Sequence, residues 1–124
     1  MTSQVYRNYI NGEWVEGYDE IVNVNPSDTS DIVGRYAKAN ADHCLAAIQA
    51  ANAAFESWSQ SALEQRKTSL DMIGAELIAR SGEIGEILAR EEGKTRAEGV
   101  GEVARSGQFF QYYGAEVLRL MGEN

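Results

Sequence analysis

The chain has 124 residues, 44% of them hydrophobic, which fits one soluble globular domain. Eleven Lys and Arg against nineteen Asp and Glu leave a net charge of −8, which repels nucleic acid and anionic lipid, and a single cysteine excludes an internal disulfide or a cysteine-rich metal site. Residues 1–10 have no apolar signal core and no stretch approaches the ~20 apolar residues of a membrane span, so a cytoplasmic protein with no nucleic-acid or membrane partner is expected.

Tyr6–Ile10 and Glu13–Val15 flank Asn11-Gly12, a pair suited to the two φ > 0 positions of a type I′ turn, so the spacing predicts a hairpin. Ile21–Val24 predicts a further strand, ended by Asn25-Pro26. The polar cluster Ser27–Asp31 then predicts a turn held by side-chain bonds to its own backbone. Ile32–Ala37 reads as the last strand, which confines the strands to about residues 6–37. Asn40 has the character of an N-cap, with Asp42 at the positive end of the helix dipole. The helix it opens covers about residues 41–59, with Cys44, Ile48, Ala51, Phe55 and Trp58 on one apolar stripe.

Ser61 and Glu64 have the capping-box form and open a helix over about residues 62–80, with Leu70, Ile73 and Leu77 on one face. Ser81-Gly82 interrupts it before Ile84, Ile87 and Leu88 resume helical spacing over about 82–92. Gly93 suits the left-handed residue that ends a helix, and Thr95 with Glu98 repeats the capping box. A fourth helix over about 96–121 carries Val103, Phe110, Tyr113, Val117 and Leu120 as a stripe. Phe109 and Tyr112 lie beside that stripe and widen it, which fits either a further packed partner or a domain with a few exposed aromatics. Short strands followed by four helical segments give an α+β order without βαβ alternation, so a parallel sheet is not expected from this chain alone.

The motifs that invite a chemical reading have structural alternatives that fit better. Glu91-Glu92-Gly93-Lys94-Thr95 ends like a phosphate loop, but Leu88 replaces its first glycine and no strand precedes it, so a helix C-cap is expected. Gly99-Val100-Gly101-Glu102-Val103-Ala104 matches G-x-G-x-x-A, yet follows a capped helix start where a dinucleotide site needs a strand; close approach of a neighbouring backbone is expected instead. His43 and Cys44 are adjacent and point about 100° apart on a helix, which predicts a buried structural thiol beside a solvent-facing histidine. Glu98 and Glu102, with Arg105 one turn on, are read as surface charge.

Asn8-Tyr9-Ile10-Asn11-Gly12-Glu13-Trp14-Val15, Val22-Asn23-Val24-Asn25-Pro26, the Ala-rich helix ending Phe55-Glu56-Ser57-Trp58, Glu92-Gly93-Lys94, and Ala97-Glu98 to Glu102-Val103 together resemble the opening segment of the NAD(P)-dependent aldehyde dehydrogenase family. The segment Glu91–Tyr113 is most similar to members acting on carboxylated semialdehydes such as 2-oxoglutarate or succinate semialdehyde. The resemblance implies an α/β family fold with a Rossmann-like cofactor domain, of which residues 1–124 form the N-terminal part, the catalytic domain being absent from this chain. It implies that a cysteine thiolate attacks the aldehyde, hydride passes to NAD or NADP, and a glutamate-activated water hydrolyses the thioester. The groups that do this lie downstream in the family, so no catalytic or cofactor-binding residue is assigned here, and Cys44 matches no catalytic position.

Two further assignments follow from the resemblance alone. Asn23 and Val24 carbonyls with the Glu91 carboxylate match positions that help hold a structural Na+ or K+. Gly101, Arg105 and Phe109 match the helix face that borders the aldehyde tunnel, where Arg105 would pair with a substrate carboxylate. The implied partners are the remainder of the enzyme, a small aldehyde, and further subunits in a homodimer or homotetramer. The alternative is a free-standing α+β module whose aromatic helix face binds a partner without catalysis.

Overall fold

The structure, a computed structural model, describes residues 4–119. The chain divides into two compact units, Met1–Gln60 and Ser61–Asn124.

The first unit holds five strands and one helix: β1 (Val5–Tyr6), β2 (Asn8–Ile10), β3 (Glu13–Val15), β4 (Asp19–Asn25), β5 (Asp28–Lys38) and α1 (Ala41–Ser59). Asn11 at φ 54° and Gly12 at φ 81° make the turn that their types favour, and β2 pairs antiparallel with β3. Tyr9 opposes Trp14 across that hairpin with ring centroids 4.8 Å apart, a cross-strand aromatic pair that fixes its register. Tyr6, expected within the hairpin, belongs instead to β1, which runs parallel to β5 and stacks Tyr6 on Tyr36 at 5.4 Å. One short parallel pairing therefore does form, connected through intervening strands and not through a helix.

The turn expected over Ser27–Asp31 contracts to Pro26-Ser27. Asp28–Asp31 are drawn into β5 because Asn25 pairs with Asp28 directly across the bend. The expected side-chain bonds survive the correction: Ser27 N–H donates to Asn25 Oδ1 at 2.9 Å and Ser30 N–H to Asp28 Oδ1 at 3.1 Å. On α1, Asn40 is the N-cap, as its short polar side chain favours. Cys44, however, is exposed, and Ile48, Phe55 and Trp58 on its stripe are exposed with it, no element among the described residues of this unit covering that face. Nor does His43 simply face solvent; it is half-buried and bonded to the cap.

The second unit is three helices, α2 (Leu63–Ala79), α3 (Ser81–Glu92) and α4 (Arg96–Val117). Ser61 does not cap α2: Ala62 stands at the N-cap without a side-chain bond, and the Ser61 hydroxyl accepts from Arg66 Nε at 2.9 Å. Arg80, one residue before the expected Ser81-Gly82 break, is the joint between α2 and α3, at φ −101° and ψ 15°. Its guanidinium donates to both Glu83 carboxylate oxygens at 2.9 and 2.8 Å, which lowers the Glu83 pKa below the usual range.

Gly93 closes α3 at φ 71°, and Lys94 N–H donates to the Ala89 carbonyl at 3.1 Å. The helix α4, about 33 Å long by its 22 residues, is the common surface on which α2 and α3 pack. Small residues make that surface. Gly99, Val103, Gly107 and Gly114 are buried along one side of α4, with Gly85 and Ala89 opposite on α3 and Gly74 on α2. A Cβ on Gly74 would lie 2.6 Å from the Gly107 carbonyl oxygen, and one on Gly107 would lie 2.7 Å from that of Gly74. The expected stripe is thus corrected: Val103 is buried and Phe110 and Val117 are half-buried, but Tyr113 is exposed and Leu120 lies outside the described residues. Among the hydrophobic residues described, only Ala37, Ala89 and Val103 are buried.

Candidate functional site: the outer face of the last helix

At about 100° per residue, Gly101, Arg105, Gln108, Phe109 and Tyr112 fall on the side of α4 opposite Val103, away from α2 and α3. Arg105, Gln108, Phe109, Tyr112 and Tyr113 line one shallow groove there. Tyr112 and Tyr113 meet edge to face with centroids 5.3 Å apart, and Phe109, Tyr112 and Tyr113 are 57%, 58% and 60% exposed. Arg105 is exposed and makes no hydrogen bond or ion pair among the described residues, so its planar donor fork is free to take a carboxylate. The structure therefore brings Arg105 and Phe109 together. Gly101 is on the same side one turn earlier but does not line the groove, and a Cβ placed on it would meet nothing within 4 Å. The expected close approach of a backbone holds at Gly99, where a Cβ would run into the Gly85 carbonyl, and fails at Gly101. Gln108 was missed by sequence reasoning, although its place one turn beyond Arg105 and one turn before Tyr112 marks the same face.

Charges cluster at the start of α4. Thr95 caps the helix, its hydroxyl accepting from Glu98 N–H at 3.3 Å and donating to the Glu98 carboxylate at 2.7 Å, while Thr95 N–H donates to the same carboxylate at 3.1 Å. These bonds, the hydroxyl's first, hold the Glu98 pKa below the usual carboxylate range. Lys94 Nζ donates to Glu102 at 2.7 Å and is also paired with Glu92; the Glu102 bond is the larger cause of a raised lysine pKa. Glu98 and Glu102 are thus engaged by different partners and do not form a shared acid–base pair.

Neither nucleotide motif builds a cradle. Gly99–Ala104 lies inside α4, where Gly99 N–H already donates to the Thr95 carbonyl at 3.1 Å, and Lys94 Nζ is bound to carboxylates. Cys44 lies on α1 with His43 beside it, but the His43 Nδ1 accepts from the Asn40 backbone at 3.2 Å and so does not serve the thiol as a base. Asn23 and Val24 sit where the β4–β5 register shifts. Glu91 is in the last turn of α3, in the other unit. Among the described residues no three His, Cys, Asp or Glu side chains group as metal ligands, and no helix is long and apolar enough to cross a membrane.

Residues 14–124 match the model of the aldehyde dehydrogenase family. The chain belongs to that family. It is 38% identical over 111 residues to 1-pyrroline-5-carboxylate dehydrogenase 2 of Bacillus subtilis, covering 90% of this chain and 22% of that protein. It is 37% identical over 118 residues to an alpha-ketoglutarate semialdehyde dehydrogenase of Haloferax volcanii, covering 94% of this chain and 24% of that one. The structure of a Thermus 1-pyrroline-5-carboxylate dehydrogenase with bound NAD superposes with a TM-score of 0.84 at 36% identity, over 94% of this chain and 23% of that one. The aldehyde dehydrogenase family fold is thereby shared, and this chain spans about a quarter of the length of such relatives.

Proposed function

We propose that these residues are the N-terminal part of the cofactor-binding domain of an NAD(P)-dependent enzyme that oxidises a carboxylated semialdehyde to the acid. The chemistry belongs to sequence outside these 124 residues: a cysteine forms the thioester and a separate loop holds NAD or NADP. This chain supplies scaffold, subunit surface and one wall of the aldehyde path. The observation that carries the reading is Arg105, without an ion-pair partner among the described residues, beside Phe109 on the outer face of α4. Support comes from relatives whose names state a carboxylate or a keto-acid semialdehyde, and from NAD bound to the Thermus enzyme.

In this reading the guanidinium fork anchors the far carboxylate of the substrate while the aromatic side chains present a flat apolar wall to its carbon chain. Charge-assisted hydrogen bonds contribute about 1.5–3 kcal/mol each. Arg105→Ala in the full-length enzyme is therefore expected to lower kcat/KM for a carboxylated aldehyde roughly 10- to 100-fold relative to an uncharged one. Unchanged selectivity would contradict the assignment. The reading extends to a cytoplasmic homodimer or homotetramer and, by the family resemblance alone, to a structural Na+ or K+ for which the Asn23 and Val24 carbonyls and Glu91 are the matching positions. Hard oxygen donors suit such an ion. A full-length crystal structure grown in either salt, with no ion density at those carbonyls, removes it.

A further inference from the structure

We propose that Asn40 and His43 form a proton-sensitive latch at the start of α1. Asn40 Oδ1 accepts from His43 N–H at 3.0 Å, and Asn40 N–H donates to His43 Nδ1 at 3.2 Å, so the two residues make a reciprocal capping box. In most such boxes the third helical residue is Glu or Gln, whose oxygen accepts over the whole neutral range. Here an imidazole nitrogen takes that place. A backbone N–H can only donate, which fixes the bound imidazole as the neutral tautomer with Nδ1 unprotonated and the proton on Nε2. Taking up a second proton turns Nδ1 into a donor. It then opposes the Asn40 N–H, and a positive charge stands at the positive end of the α1 dipole. One half of the box is lost and the other is strained by the same event.

The surroundings leave His43 as the switching group. Asp42 shares the first turn, where its carboxylate favours the helix. Lys38, at the end of β5, is placed over the Tyr18 ring at 5.6 Å. The strand that packs on α1 is β2, and its titratable side chain is the exposed Tyr9. Imidazole is the side-chain type whose charge ordinarily changes at about pH 5–8.

The test uses the full chain, observed by NMR, with His43 identified as the imidazole signal lost in His43→Gln. Amide-exchange protection of Asn40, His43 and Cys44 is followed from pH 8 to pH 5. In the parent protein, protection of the Asn40 amide is expected to fall roughly fivefold as the imidazole takes up its proton. In His43→Gln, where the side-chain oxygen accepts at every pH, it is expected to stay level. Protection that persists while the imidazole signal shows full protonation overturns the proposal, and so does an equal acid loss in His43→Gln.

Discussion

Thr95 and Glu98 lock the first turn of α4 by satisfying each other's backbone N–H groups. Because Glu98 keeps a folded pKa below its ordinary 4.5, its contribution to stability is present above that value and is lost as pH falls through the lower folded one. Glu98→Gln retains an oxygen for Thr95 N–H but removes the titration, so acid denaturation below pH 4.5 is expected to be less steep in that variant. Thr95→Ala removes the cap itself and is expected to cost about 1 kcal/mol at pH 7 by urea denaturation. An acid limb of equal slope in the parent and Glu98→Gln would show that the carboxylate gains nothing from the cap.

Among the elements, α4 has two opposed faces with opposite tolerance. Its inner side takes α2 and α3 at backbone distance, so Gly107→Ala is expected to cost about 1–3 kcal/mol by forcing the helices apart. Gly101 on the outer side meets nothing, and Gly101→Ala is expected to add about 0.5–1 kcal/mol through helix propensity alone. Equal urea midpoints for the two variants would contradict this division. The same contrast marks what could be read in the sequence. Turns and caps at Asn11-Gly12, Asn40, Gly93 and Thr95 are decided by residues within four positions of one another, and local chemistry announced them. The packed side of α4 announced itself only in part: Val103, Phe110 and Val117 of the expected stripe lie on it, but glycine carries no hydrophobic signal, so Gly107 and Gly114 did not mark it, and Tyr113 at the stripe's edge is exposed. Ser61 failed as a cap for a related reason: its hydroxyl was taken by Arg66, five residues along, which a four-residue motif does not contain.

For the whole molecule, the periodicity of α1 and α4 established which side chains share a face but not what covers it. Cys44, Ile48, Phe55 and Trp58 form an apolar stripe, and Phe55 stays 68% exposed. A stripe of this kind calls for a partner surface, and nothing in the periodicity states that these 124 residues provide one. The Arg105 groove was legible only in part: Arg105 and Phe109 came from the family resemblance, while Gln108, on the same helix face by its spacing, was passed over. The family itself was legible because short motifs, each weak alone, kept their order along nearly the full length. Neither glycine motif folds into a nucleotide cradle, and Cys44 stands next to a histidine whose Nδ1 accepts from the Asn40 backbone.

The most direct measurement is aldehyde-dependent reduction of NAD+ or NADP+ by the purified 124-residue chain, with Cys44→Ser assayed beside it. The account predicts absorbance at 340 nm no higher than the protein-free blank for both proteins. Turnover by the parent chain that disappears in Cys44→Ser would contradict it.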